Sequence, residues 1–253
     1  MRRALVFVLA AIATLLAAAA NAAEIKVSSA GAVRGLIATI IEDYSRQSGH
    51  TFDFTIGTTG QLRAVIQSGF PADLIITSAP LMQELEQSPN LTPGSRVDLG
   101  RMGSGVVTRE GAPVPDVSTP EAFKQTLIRA KSVALTDPTA GGTSAVHLVS
   151  LLERFGIPDL VKSKGVLTVG GKETAEAVVK GEAEIGFTLV SEIIAVKGAR
   201  LSELPASLQS YTLYTTAIPK ASREPAIARA FVSHLTSAAM APRWKAAGFE
   251  PPK

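Results

Sequence analysis

Beyond residue 22, apolar positions along the chain recur with two alternating periods. The short β-branched runs EIKVSSA, TFDFTIG and ADLIITSA alternate with VRGLIATIIEDYSRQSG and QLRAVIQSG, where apolar residues fall three or four apart. The first kind of run predicts strands and the second predicts helices with one buried face. Val33, Leu36, Ile37, Ile40, Ile41 and Tyr44 share a face of the first helix, and Gly49 supplies a left-handed stop. Leu62, Val65 and Ile66 repeat the logic in the second helix, ahead of Gly69. The resulting β-α-β-α-β order predicts a mostly parallel sheet covered by helices.

A second series of the same kind follows: VDLGRMGSGVVTRE, SVALTDP, a helix from Val146 to Phe155, VLTVGG, a helix from Thr174 to Lys180, and EIGFTL. SYTLYTTAIPKAS then reads as a returning strand, and REPAIARAFVSHLTSAAMAPRWKAAGF as one long or broken terminal helix. Two α/β units fit this length better than one, with no repeat of 20 to 50 residues. The polar, glycine-rich GRMGSG and the alternating SYTLYTT suit strands that cross between units. Residues 23–101 with 210–253 are therefore expected to form one lobe and residues 102–209 the other.

Residues 1–22 are set apart from this pattern. MRR, the apolar run from Ala4 to Ala20, and Ala20-Asn21-Ala22 have the form of a secretory signal peptide, cleaved near Ala22 so that the mature chain starts near Ala23 in the periplasm. The run is short for a membrane span of ~20 residues and no basic stop follows it. Cleavage removes Arg2 and Arg3, leaving 23 basic against 22 acidic residues, so the sequence pI of 9.2 overstates the basicity. Charges of both signs are interspersed, which argues against nucleic acid as a partner. There is no cysteine, and His50, His147 and His234 are too scattered to suggest a metal site. No cofactor is expected, and a monomer of about 230 residues can bury its own core.

Candidate chemistry sits at three turns where a strand gives way to a helix: SSAGA at Ser28 to Ala32, GTTG at Gly57 to Gly60, and TAGGTS at Thr139 to Ser144. In open α/β sheets ligands collect at the carboxyl ends of strands. Thr143 or Ser144 could simply cap the helix that follows. Three such turns without one acidic cap residue point instead to hydroxyls and bare amides that donate to an anion, aided by the helix dipole.

The order of SSAGA, GTTGQL, PADLIITSA, VALTDPTAGGTSA and GEAEIGF resembles the bacterial periplasmic solute-binding proteins of the molybdate-binding type, across essentially the whole mature chain. The resemblance implies a periplasmic-binding-protein-like fold of two lobes joined by crossing strands. It further implies an anion held between the lobes by Ser28, Ser29, Gly31, Thr58, Thr59, Gly141, Gly142, Thr143 and Ser144, and an ABC-type membrane permease as partner. The chain departs from the molybdate pattern where Gly31 replaces a serine, where Phe187 replaces a tyrosine and so cannot donate, and where Gly141 to Ser144 replace a proline-containing turn.

SRVDLG, REGAPVPD, AFKQTL, GEAEIGF and SEI are similar to a branch of the same family that includes a periplasmic aconitate isomerase. That branch implies cationic anchors for carboxylates and a general base that shifts an allylic proton. Arg34 and Arg63, early in helices after hydroxyl-rich turns, are candidate anchors, because a guanidinium fork matches a carboxylate. His147 is a conceivable base, while Glu192 in SEII reads equally as a first-turn acid favoured by the dipole; no catalytic residue is assigned. A Walker or dinucleotide fingerprint is absent, and Ser78 lacks a nucleophile-elbow context. The leading expectation is the binding component of an importer for an oxyanion or organic carboxylate, with the isomerase as alternative.

Overall fold

The computed structural model describes residues 22–69 and 71–252. The expected signal peptide, apart from Ala22, lies outside the described residues. No helix among the described residues is long and apolar enough to cross a membrane.

Two five-stranded sheets organise the described residues. In the first, β1 (Glu24–Ala30) lies between parallel neighbours β2 (Thr51–Gly57) and β3 (Leu74–Ser78), and β10 (Thr212–Ala217) runs antiparallel between β3 and β4 (Val97–Met102). In the second, β6 (Val133–Thr136) lies between parallel β7 (Gly165–Thr168) and β8 (Ile185–Leu189), and β5 (Ser104–Arg109) runs antiparallel between β8 and β9 (Ala199–Glu203). Each sheet is thus mixed, with one reversed strand in the same relative place. Each reversed strand is the one entered by a crossing from the other sheet: β4 passes into β5 through Gly103, and β9 leads back to β10. Gln209 pins the crossings, accepting from the Ser104 N–H at 2.7 Å and donating to its carbonyl at 3.0 Å.

Helices cover both faces, which is why β3, β6 and β8 are buried along their whole length. Helix α1 (Gly31–Ser48) buries Val33, Leu36, Ile37, Ile40 and Ile41, and ends at Gly49 with φ 77°. Helices α2 (Thr59–Gln67) and α3 (Ala79–Glu86) follow β2 and β3. In the second lobe, α4 (Pro120–Arg129) and α5 (Thr143–Arg154) pack Phe123, Leu127, Leu148 and Leu151 on one face of the sheet. Short α6 (Leu160–Lys164) precedes β7, and α7 (Gly171–Lys180) with α8 (Val190–Ile194) covers the opposite face through Ala175, Val178 and Ile193. The period-two rule is visible in β5, where Val106 joins the first of these clusters and Val107 the second. The terminal helix is broken: α9 (Pro225–Leu235), a 3₁₀ turn at Ala238–Met240, then α10 (Ala241–Ala246).

Buried Asp73 ties the terminal segment to the first lobe. It accepts from the N–H groups of Lys26, Arg223 and Glu224 and from the Ser222 hydroxyl. Burial pushes its carboxyl up, but these four bonds outweigh it and hold the group below the usual carboxylate range.

Candidate functional site

The carboxyl ends of β1, β2, β6 and β8 open onto a cavity of about 880 Å³ between the two lobes. Of the residues marked by sequence, Gly31, Arg34, Thr58, Thr59, Gly142, Thr143 and Ser144 line it. Ser28 and Ser29 do not; they are buried within β1, where the Ser29 hydroxyl donates to the Ala30 carbonyl at 3.2 Å. Phe187 is packed in the second lobe's core beside Phe123 and His147, with ring centroids 6.0 and 5.6 Å away. Arg63 lies outside the lining, its guanidinium forked onto Glu84 at 2.9 and 3.0 Å.

Three helix N-termini border the cavity, those of α1, α5 and α7, and none has a side-chain cap. Each helix leaves its first N–H groups without intrahelical partners and presents the positive end of its dipole. The capping reading of TAGGTS therefore gives way: Gly142 is the N-cap of α5, and neither Thr143 nor Ser144 bonds back to the first turn. Arg34, exposed and with no hydrogen bond or ion pair among the described residues, adds a cation. The other two cations of the lining are engaged, Lys172 with Glu176 at 3.3 Å and Arg243 with Asp43 at 2.7 Å.

The lobes touch on either side of this space. At the back, the Ser191 hydroxyl donates to the Ala32 carbonyl at 2.8 Å. At the mouth, the Thr58 hydroxyl accepts from the Gln61 N–H as the cap of α2 and donates across to the Ala140 carbonyl. Gly60 and Gly141 meet there so closely that a methyl at Gly60 would sit 2.6 Å from the Ala140 oxygen. Between these contacts, Tyr214 of β10 reaches the Thr143 side chain, and burial raises its phenol well above the ordinary value.

Glu192 forms part of the cavity wall and is the least expected member of it. It is the first-turn acid of α8, accepting from the Leu189 N–H at 3.3 Å and from the Thr188 hydroxyl at 2.5 Å, both through Oε2. Burial pushes its carboxyl up to about 7, against the pull of those two bonds and with help from the negative charge of Glu173. Room for it comes from Gly171, where a methyl would fall 1.8 Å from Oε2. His147 stands apart from the cavity, against Ser104 and Phe187, with its pKa lowered by burial.

Sequence reasoning missed Tyr214, Ser191, Gly171 and the cleft position of Glu192. The available signal was the acid itself, a lone charge inside GFTLVSEIIAV.

Two lobes joined by crossing strands and meeting around a cavity of helix N-termini and hydroxyls define a class, the two-lobed α/β solute-binding proteins. Residues 25–250 match the family model of the bacterial extracellular solute-binding proteins, and the chain belongs to that family. It is 32% identical over 245 residues to aconitate isomerase of Pseudomonas sp., covering 94% of this chain and 92% of that protein. It is 29% identical over 189 residues to the molybdate-binding protein ModA of Azotobacter vinelandii, covering 72% and 70%. The periplasmic molybdate-binding protein of Azotobacter vinelandii superposes with a TM-score of 0.77 at 19% identity, over 90% of this chain and all of that one. The sulfate-binding protein SubI of Mycobacterium tuberculosis gives 0.73 at 17%, over 90% and 87%. At these identities the structural likeness is one of fold.

Proposed function

We propose that this chain is an exported periplasmic protein that closes over an organic polycarboxylate of the aconitate class and interconverts its cis and trans isomers. The observation that carries the reading is the equipment of the cavity. Among the described residues, three uncapped helix N-termini and one unpaired guanidinium surround about 880 Å³. That volume lies in the range for organic ligands. Separate donor groups on separate walls suit an anion whose charges are spread over several carboxylates, where a tetrahedral oxyanion would engage one compact set. Likeness to aconitate isomerase along 94% of the chain supports the same choice.

In this reading the α1, α5 and α7 termini each take a carboxylate, Arg34 forks onto one of them, and Thr143 and Ser144 add hydroxyls, the Thr59 hydroxyl being turned to Ser78 at 3.3 Å. Thr58 and Ser191 hold the lobes together, since both hydroxyls are spent across the cleft. A second reading, delivery of the captured anion to an ABC-type permease by a monomer, is favoured by the same interlobe contacts, because a closed form is what such a partner would recognise.

A thermal-shift panel separates the ligands. Ligand bound to the native state raises its stability. Cis- and trans-aconitate should raise Tm at concentrations where molybdate and sulfate do not. A shift with molybdate alone would refute the polycarboxylate.

A further inference from the structure

We infer that Glu192 is the group that moves the proton in this cleft, its Oε1 taking an allylic hydrogen from the bound anion and returning it at the far end of the same three-carbon unit. The inference rests on the proposal that an aconitate-class polycarboxylate occupies the cavity.

The geometry divides the carboxyl into two halves. Oε2 faces inward and is held by the Thr188 hydroxyl at 2.5 Å and the Leu189 N–H at 3.3 Å, which fixes the side chain. Oε1 makes no hydrogen bond among the described residues and is directed toward Gly31, the first residue of α1, whose missing methyl would lie 3.7 Å from it. Glu192 is only 9% exposed, and no ion pair engages it among the described residues. Such a group is out of place in a site built only to hold an anion, because its ionised form repels the ligand and no ion pair among the described residues neutralises it. It is in place where a proton must be carried, because burial brings its titration to about 7, so that both forms are populated at neutral pH. The groups that share the cavity with it are Arg34 of α1, Lys172 and Glu173 of α7, Arg243 of α10 and Tyr214 of β10.

The step balances without any co-reactant. Oε1 of the carboxylate forms an O–H bond to the hydrogen of a methylene that lies between a carboxylate and the double bond, and the C–H pair spreads over the allyl unit and its carboxylates. The same O–H bond then breaks as the proton is delivered to the other allylic carbon, where a C–H bond forms and the double bond shifts. No electron is gained or lost. The N-termini of α1, α5 and α7 bear the charge that spreads onto the carboxylates in between. Thr188 is a positioning residue, acting through Oε2, and Gly171 leaves the space for it.

The test follows cis-aconitate by proton NMR in D₂O with the full mature protein. Wild type should form trans-aconitate whose methylene retains, at least in part, the transferred hydrogen, with kcat/KM rising through about pH 7 as Glu192 ionises. Glu192→Gln should lose isomerisation by at least about 100-fold. Its thermal shift with trans-aconitate should remain, since the amide keeps the side chain's size and hydrogen-bonding capacity. Glu192→Asp, which withdraws the carboxylate from the cavity, and Gly171→Ala, which displaces it, should fall between the two. A wild type that isomerises while Glu192→Gln keeps the full rate, or a wild-type profile flat from about pH 5.5 to 8.5, overturns the role of Glu192 and leaves the ligand proposal standing. A wild type that binds both isomers and converts neither overturns this role together with the isomerase reading, and a wild type that binds neither overturns the ligand itself.

Discussion

Arg34 and Arg63 carry the same signal in the sequence, a cation early in a helix after a hydroxyl-rich turn, yet they have different fates. Glu84, 21 residues further along on α3, takes the Arg63 guanidinium in a fork, and nothing comparable meets Arg34 among the described residues. Only tertiary structure could separate them, because the deciding carboxylate is remote in sequence. Arg34→Gln is therefore expected to weaken binding of trans-aconitate by about 1.5–3 kcal/mol, the range for hydrogen bonds to charged groups. Arg63→Gln should change it by less than about 1 kcal/mol, as for a screened surface pair. Isothermal titration calorimetry on both variants checks the contrast, and equal losses would contradict it. Glu192 was legible as a first-turn acid, which it is. Its other role depends on β8 ending beside α7 and α1, a placement that no local pattern encodes.

At the scale of elements the sequence was most informative where its periods were long. Helix α1 and its stop at Gly49, the strands β1 to β3, and the series from β6 to β8 all follow the apolar spacing. VDLGRMGSGVVTRE resolves into β4 and β5 with Gly103 between them. Some amphipathic pieces were not predicted: α3 and β9 have too few periods to stand out, and α4 buries only Phe123 and Leu127. The turn TAGGTS was visible as unusual, but its meeting with the α2 terminus across 82 residues was not. That meeting makes a prediction. Gly60→Ala places a methyl 2.6 Å from the Ala140 oxygen in the closed form, while alanine inside a helix is intrinsically favoured over glycine. The free variant should keep or slightly raise its Tm and yet bind trans-aconitate at least about tenfold more weakly, a cost of ~1.4 kcal/mol for the strained closure. A variant with unchanged affinity would show that this contact is not part of closure.

For the whole molecule, the two lobes repeat one strand arrangement and enclose their cavity through contacts at both sides, so the site exists only where the lobes meet. Its acid leaves a mark on global stability. The Glu192 carboxyl, raised in the folded state from 4.5 to about 7, holds its proton longer than in the unfolded chain. Between those values the native state binds more protons, so stability falls as pH rises and levels off above about 7. Relative to Glu192→Gln, which does not titrate, the ligand-free wild type should lose about 2–3 kcal/mol from pH 4.5 to pH 8 in urea unfolding, with other titrating groups cancelling in the difference. A difference that does not change with pH would mean that the carboxyl is solvated.

The most direct measurement of the central claim starts from each isomer separately. Mature wild-type protein is incubated with pure cis-aconitate and, in parallel, with pure trans-aconitate, and both are followed by proton NMR until they stop changing. A cleft that holds the anion and shifts its allylic proton brings both samples to one common mixture, since an enzyme alters the rate of approach and not the equilibrium. Two samples that each remain the isomer supplied, while an unreactive anion such as molybdate still binds tightly, would contradict it.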